Sequence, residues 1–157
     1  MSSNCYVLND WLIHDLRGDN GKERQEEARL LLEALREKCD QLAMLKESSW
    51  MRKAYELTTH QDTLLRVLSR LLHLYILRDS NKFQLLHPGQ IVTIPEHVRR
   101  LVPEEDIYLF EAYYSAKAEA LVTTDEELLQ IPSNAQDANI IIRGRDDFID
   151  DYLLEAS

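Results

Sequence analysis

Short apolar runs alternate along the chain with longer stretches in which apolar residues recur every three or four positions. This alternation predicts an α/β domain, because buried strands need only a few apolar residues while the connecting helices must be amphipathic. The runs at 6–8, 42–45, 120–123 and 139–142 read as strands, with 90–93 as a fifth candidate. GKERQEEARLLLEALREKC sets Ala28, Leu31, Leu32 and Leu35 at helical spacing with charges opposite, which predicts a helix over 22–38 lying on the sheet. KESSWMRKAYEL begins another helix, with Trp50, Tyr55 and Leu57 available for packing.

The stretch at 62–77 differs. Leu64, Leu65, Val67, Leu68, Leu71, Leu72, Leu74, Tyr75 and Ile76 leave only a narrow polar stripe, so the helix is either central to the core or covered by a second copy in a homodimer. That stripe carries Arg66, Arg70 and His73 at i, i+4 and i+7. It reads either as a solvated face or as a track for the phosphates of an RNA backbone contacted by Arg66 and Arg70. DSNKFQLLHPGQ follows as a turn-rich connection.

In the second half, Pro103 with Glu104, Glu105 and Asp106 makes a favourable first helical turn, since negative charge is stabilised at a helix N-terminus. Ile107, Phe110, Tyr114 and Ala118 supply its buried face. After the strand at 120–123, Thr124 and Glu127 have the spacing of a capping box, which puts Asp125 just past a strand's carboxyl end. Asn9 and Asp10 stand in the same relation to the first strand, and ligands of open parallel sheets bind at those ends.

A chain of 157 residues, 45% hydrophobic, suits one domain. No apolar run approaches the roughly 20 residues that span a bilayer, and the N-terminus lacks a basic segment followed by an apolar one. These features predict a soluble, cytoplasmic protein with no membrane partner. Cys5 and Cys39 are far apart and read as two buried thiols rather than as zinc ligands. The net charge of −10, from 28 acids and 18 bases, opposes broad nonspecific binding of nucleic acid and suits a basic partner chain. The five histidines show no metal spacing, and no glycine-rich phosphate loop or nucleophilic serine elbow occurs, so nucleotide hydrolysis and acyl transfer lack support. RDDFIDDYLLEAS packs through Phe148, Ile149, Tyr152 and Leu153, leaving its aspartates as a solvated face, with Asp146 a candidate cap.

ALVTTDEELL, preceded by a helix that opens on an aspartate, resembles the second half of a PIN domain, the metal-dependent nuclease fold of many toxin-antitoxin ribonucleases. YVLNDWLIHDL resembles that family's first strand, CDQLAMLKESSWMRKAYEL its second strand and helix, and IIIRGRDDFIDDYL its last strand and closing helix. The resemblance spans nearly the whole chain. It implies a single domain with a central, mostly parallel sheet of four or five short strands flanked by helices. It also implies an acidic site of Asp10, Glu47, Asp106 and Asp125, with Asp10, Asp106 and Asp125 as ligands of Mg²⁺ or Mn²⁺. The family's first aspartate falls on Asn9, with Asp10 next to it. Asn9, Thr123 and Thr124 would position a ligand or the scissile phosphate.

The implied activity is metal-dependent endoribonuclease cleavage of RNA, in the manner of a toxin with an antitoxin partner. The alternative is a catalytically degenerate module that acts by binding protein or RNA. The chemistry is coherent, because a hard divalent cation takes oxygen ligands and, when bound, activates water and neutralises charge on a phosphodiester. Clustered carboxylates repel one another, so at least one should have a raised pKa without metal. Each acid also has a purely structural reading: Asp106 and Asp125 as helix-start acids, Glu47 as a surface acid, and Asp10 as an N-cap. Asp15, one turn into the first helix, is a candidate replacement ligand.

Overall fold

Parallel strands are buried on both faces, and the strands of this chain are correspondingly short and apolar. The computed structural model describes residues 3–135 and 139–156. These residues form an α/β fold around one sheet made of β1 (Cys5–Leu8), β2 (Gln41–Leu45), β3 (Phe83–Leu86), β4 (Ala120–Thr123) and β5 (Ile142–Gly144). All pairings are parallel, in the order β3-β2-β1-β4-β5. This fits the single PIN-like domain that the resemblance implies. Past their first residue, β1 and β2 are buried throughout, and β4 is buried along its whole length. The strand order reverses between β1 and β4, which leaves a crevice at their carboxyl ends.

Between β1 and β2 lie α1 (Trp11–Arg17) and α2 (Lys22–Glu37). Gly18 ends α1 at φ +86°, a left-handed conformation that glycine adopts without strain. The buried face of α2 is the predicted one, Ala28, Leu31, Leu32 and Leu35. α3 (Ser49–Glu56) follows β2, its start fixed by the Ser48 hydroxyl accepting from the Met51 amide at 3.2 Å. Trp50, Ala54 and Leu57 lie on one stripe and are buried, whereas Tyr55, one position out of step, is 68% exposed rather than packed.

α4 (Thr63–Leu72) buries Leu68, Leu71 and Leu72 on one face and exposes Leu64 and Val67 on the other. It runs into a π turn at His73–Leu77. β3 lies inside the stretch expected as a connection, and 90–93 is not a strand. Four residues suffice there because β3 is an edge strand, paired only with β2 from Leu42 opposite Phe83 to Leu45 opposite Leu86. β5 likewise begins later than expected, because Asn139 adopts φ +51° and interrupts the extended run.

α5 (Glu96–Arg99) precedes a short 3₁₀ turn, Glu104–Asp106, and then α6 (Ile107–Ala116). α6 buries Leu109, Phe110, Ala112 and Tyr113, with Ile107 and Tyr114 only partly covered, because it lies across the sheet and needs a broader apolar face than the expected stripe. α7 (Glu126–Leu129), α8 (Ile131–Asn134) and α9 (Arg145–Ala156) complete the described chain, α9 packing through Phe148, Ile149 and Tyr152. Cys5 is partly buried, and burial pushes its thiol up to about 12. Cys39, expected to be buried, is exposed where the chain turns from α2 into β2. Among the described residues no helix is long and apolar enough to cross a membrane.

Asp15 is no spare ligand. It is fully buried, and its Oδ2 accepts from the Nε of Arg145 at 2.6 Å while Oδ1 accepts from Asn20 at 2.7 Å. Arg145, 1% exposed, donates further to Asp146 at 2.6 Å, to Glu27 at 3.2 Å and to the Arg24 carbonyl at 3.4 Å. Removing one member of such a pair strands a buried charge, so Asp15→Ala is expected to lower stability by about 3 kcal/mol or more. The double variant Asp15→Leu/Arg145→Met should regain much of that loss. Urea unfolding of the three proteins measures both effects, and a cost under about 1 kcal/mol for Asp15→Ala would refute this role for the pair.

Candidate acidic site at the switch point

The Asn9 backbone extends the β1–β4 ladder, its amide donating to the Val122 carbonyl at 2.9 Å. Its side chain is fully engaged in the same joint: Nδ2 donates to Thr123 Oγ1 at 3.1 Å, and Oδ1 accepts from the Asp10 amide at 2.7 Å. The indole of buried Trp11 adds a further bond to the Val122 carbonyl at 2.9 Å. Asp10 occupies the N-cap position of α1, but its carboxylate makes no capping bond. Instead Oδ2 accepts from the Lys53 ammonium at 2.6 Å and lies 3.5 Å from His14 Nε2.

At the end of β4, Thr123 is fully buried and its hydroxyl oxygen also accepts from the Asp125 amide at 3.1 Å. The helix cap here is Asp125 rather than Thr124. Its Oδ1 accepts from the Glu127 amide at 2.9 Å, and Thr124 is exposed. The aspartate takes this place because its short carboxylate bonds an amide two residues on without leaving the turn.

Asp106 closes the 3₁₀ turn and leads directly into α6. Burial pushes its carboxyl up to about 6, helped by the negative charges of Asp125, Glu105, Asp10 and Glu127. Asp10, Asp106 and Asp125, distant in sequence, therefore share one electrostatic field at the crevice. Tyr108 extends the group: burial raises its pKa, its side chain is hydrogen-bonded to that of Ser49, and Asp10 and Asp106 act on it as well. Glu47 is exposed just past β2 and is not among the charges acting on Asp106. Arg66 and Arg70 lie apart from this group, lining a groove beside α4.

Lys53 is the residue that sequence reasoning missed. Its position on α3 next to buried Ala54 gives little local signal, and its long side chain meets Asp10 only because β2 lies beside β1.

The donor set suits a hard divalent cation in kind, since three carboxylates and their neighbours offer oxygen, and the elevated Asp106 marks crowding that a cation relieves. The arrangement is not a closed cage. Among the described residues, no three His, Cys, Asp or Glu side chains are grouped to hold a metal, and Lys53 already neutralises Asp10. No family model matches the chain, and no curated protein does.

A raised carboxyl pKa makes stability fall as pH rises. Below 3.8 both folded and unfolded chains hold the Asp106 proton and there is no cost. Between 3.8 and about 6 the unfolded chain releases it first, and above that window the cost is complete. Asp106→Asn is therefore expected to be more stable than the parent at pH 7.5, by about 1 kcal/mol after allowance for solvent screening of a part-exposed group. The advantage should vanish near pH 3.5, as thermal unfolding at the two pH values would reveal.

Proposed function

We propose that this chain is a PIN-like ribonuclease that cleaves RNA phosphodiester bonds at Asp10, Asp106 and Asp125 with bound Mg²⁺ or Mn²⁺. The observation that supports this reading is the mutual action of three carboxylates from distant segments at the switch-point crevice, which leaves Asp106 with a carboxyl near 6. Asp10, Asp106 and Asp125 would hold the cation, which when bound supplies charge neutralisation and an activated water. Lys53 contributes a fixed ammonium beside Asp10, suited to a phosphate oxygen. The exposed Thr124 hydroxyl at the same edge is available to orient one, whereas Asn9 and the Thr123 oxygen serve the joint between β1 and β4.

A second reading has its own support. The Lys53 ammonium on Asp10, with an amide at position 9 where the family has an acid, favours a degenerate module that binds RNA or protein without cutting.

Labelled RNA incubated with Mn²⁺ or with a chelator tests the first reading. Metal-dependent cleavage is expected, reduced at least about a hundredfold in Asp106→Asn and Asp125→Asn, in line with loss of a metal-site ligand. Parent-like cutting by both variants would show that the site lies elsewhere. Titration of Mn²⁺ by calorimetry separates the readings: saturable binding that Asp125→Ala abolishes supports the nuclease, and none at millimolar metal supports the module. Lys53→Met removes the competing ammonium and should tighten Mn²⁺ binding several-fold.

A further inference from the structure

A protein of net charge −10 gathers three arginines without acid partners in one groove. Other arginines meet acids, as Arg17 with Asp19, Arg29 with Glu26 and Glu33, Arg143 with Asp151 and Arg145 with Asp15, while Arg36, Arg52 and Arg99, without an ion pair among the described residues, lie outside the groove. Arg66, Arg70 and Arg78 have no ion-pair partner among the described residues, and all three line one open groove of about 700 Å³ together with Thr58, Thr63 and His73.

The helix geometry explains how three cations converge. Arg66 and Arg70 are one turn apart, but an unbroken α-helix would carry residue 78 about 120° round from residue 66. The π turn prevents this. Its wider i to i+5 step, seen in the Arg78 amide bonding to the His73 carbonyl at 2.9 Å, rotates the chain less per residue and returns Arg78 to the groove. His73 is lowered by burial and by the charge of Arg78, and its Nε2 is 2.6 Å from the Ala54 carbonyl. That contact ties the groove to α3, the helix whose Lys53 reaches Asp10.

We propose that this groove binds the phosphate groups of a nucleotide, either free or within an RNA strand. Guanidinium forks match phosphate oxygens in pairs, and three such forks without acids are a strong local attraction for a phosphate group. The Thr63 hydroxyl can add a donor, whereas Thr58 gives its proton to the Tyr55 carbonyl at 2.6 Å. Val67 and Leu74 form an apolar wall beside the cations, which suits a base or ribose rather than a bare anion. The volume falls in the range of small-ligand sites. For an RNA strand the proposal rests on the ribonuclease reading above; for a free nucleotide it stands without it.

Calorimetry on the intact chain at low salt, with a chelator present so that no cutting intervenes, tests the groove using ATP, pyrophosphate and a uridine octamer lacking terminal phosphates. Saturable binding of ATP or of the octamer is expected, weakened at least about tenfold in Arg66→Gln/Arg70→Gln/Arg78→Gln, as three lost phosphate contacts require. The three side chains are exposed, so the fold should persist, and circular dichroism checks it. Arg66→Glu alone provides a second variant and should weaken binding in the same direction. Arg99→Gln, an exposed arginine outside the groove, should bind within about twofold of the parent, since separate sites act independently. Binding of ATP and pyrophosphate but not the octamer identifies a free nucleotide, and binding of the octamer alone identifies strand phosphates, with a salt slope that falls by about 2 in the triple variant. No saturable binding by any probe, or binding that the triple variant keeps, overturns the proposal. Failure of RNA cleavage with groove binding intact would instead count against the ribonuclease reading.

Discussion

One buried ion pair holds the frame on which the crevice depends. Arg145 is the first residue of α9, and its guanidinium is fixed by Asp15 of α1 and by Glu27 and the Arg24 carbonyl of α2. It also lies over the Trp11 ring, 5.4 Å from its centre, while the Trp11 nitrogen is bound to the Val122 carbonyl of β4. The pair thus sets the angle at which α1 leaves β1, and with it the direction of Asp10. Such a pair gains little net energy over well-packed apolar groups, but it tolerates few alternative geometries. Its value here is in placement.

The same frame forces carboxylates together where the strand order reverses. Asp106 is partly buried and surrounded by acids, so the fold is less stable at neutral pH than a neutral residue there would make it. Strain of this kind is typical of sites retained for chemistry or binding at some cost to stability. Lys53 neutralises Asp10 and so eases part of this crowding within the protein itself.

Much of the frame was readable from local pattern. β1, β2 and β4 are uninterrupted apolar runs bounded by polar residues, and α2 has a clean helical period, so periodicity alone located them. β3 was hidden because its four residues sit between strong turn formers, and β5 was expected too early because Asn139 turns left-handed where the apolar run reads as extended. Asp10, Asp106 and Asp125 were legible as acids at strand ends and helix starts. The partners were not: Asp15 is polar in sequence and became structural only through an arginine 130 positions away, and Lys53 meets Asp10 across 43 positions. Arg78 was out of helical phase with Arg66 and joined it only through the π turn.

Asn9 carries a consequence for how this chain can change. Its amide is used from both ends, as donor to Thr123 and as acceptor from the Asp10 backbone, across the seam between β1 and β4. A carboxylate of the same shape could keep the second bond but not donate the first, and it would place another negative charge beside Asp10. An aspartate at position 9 would therefore disturb more than its own side chain. Thr123 would have to reverse its hydroxyl and the neighbouring acids find new counterions, so the amide is held in place by its surroundings.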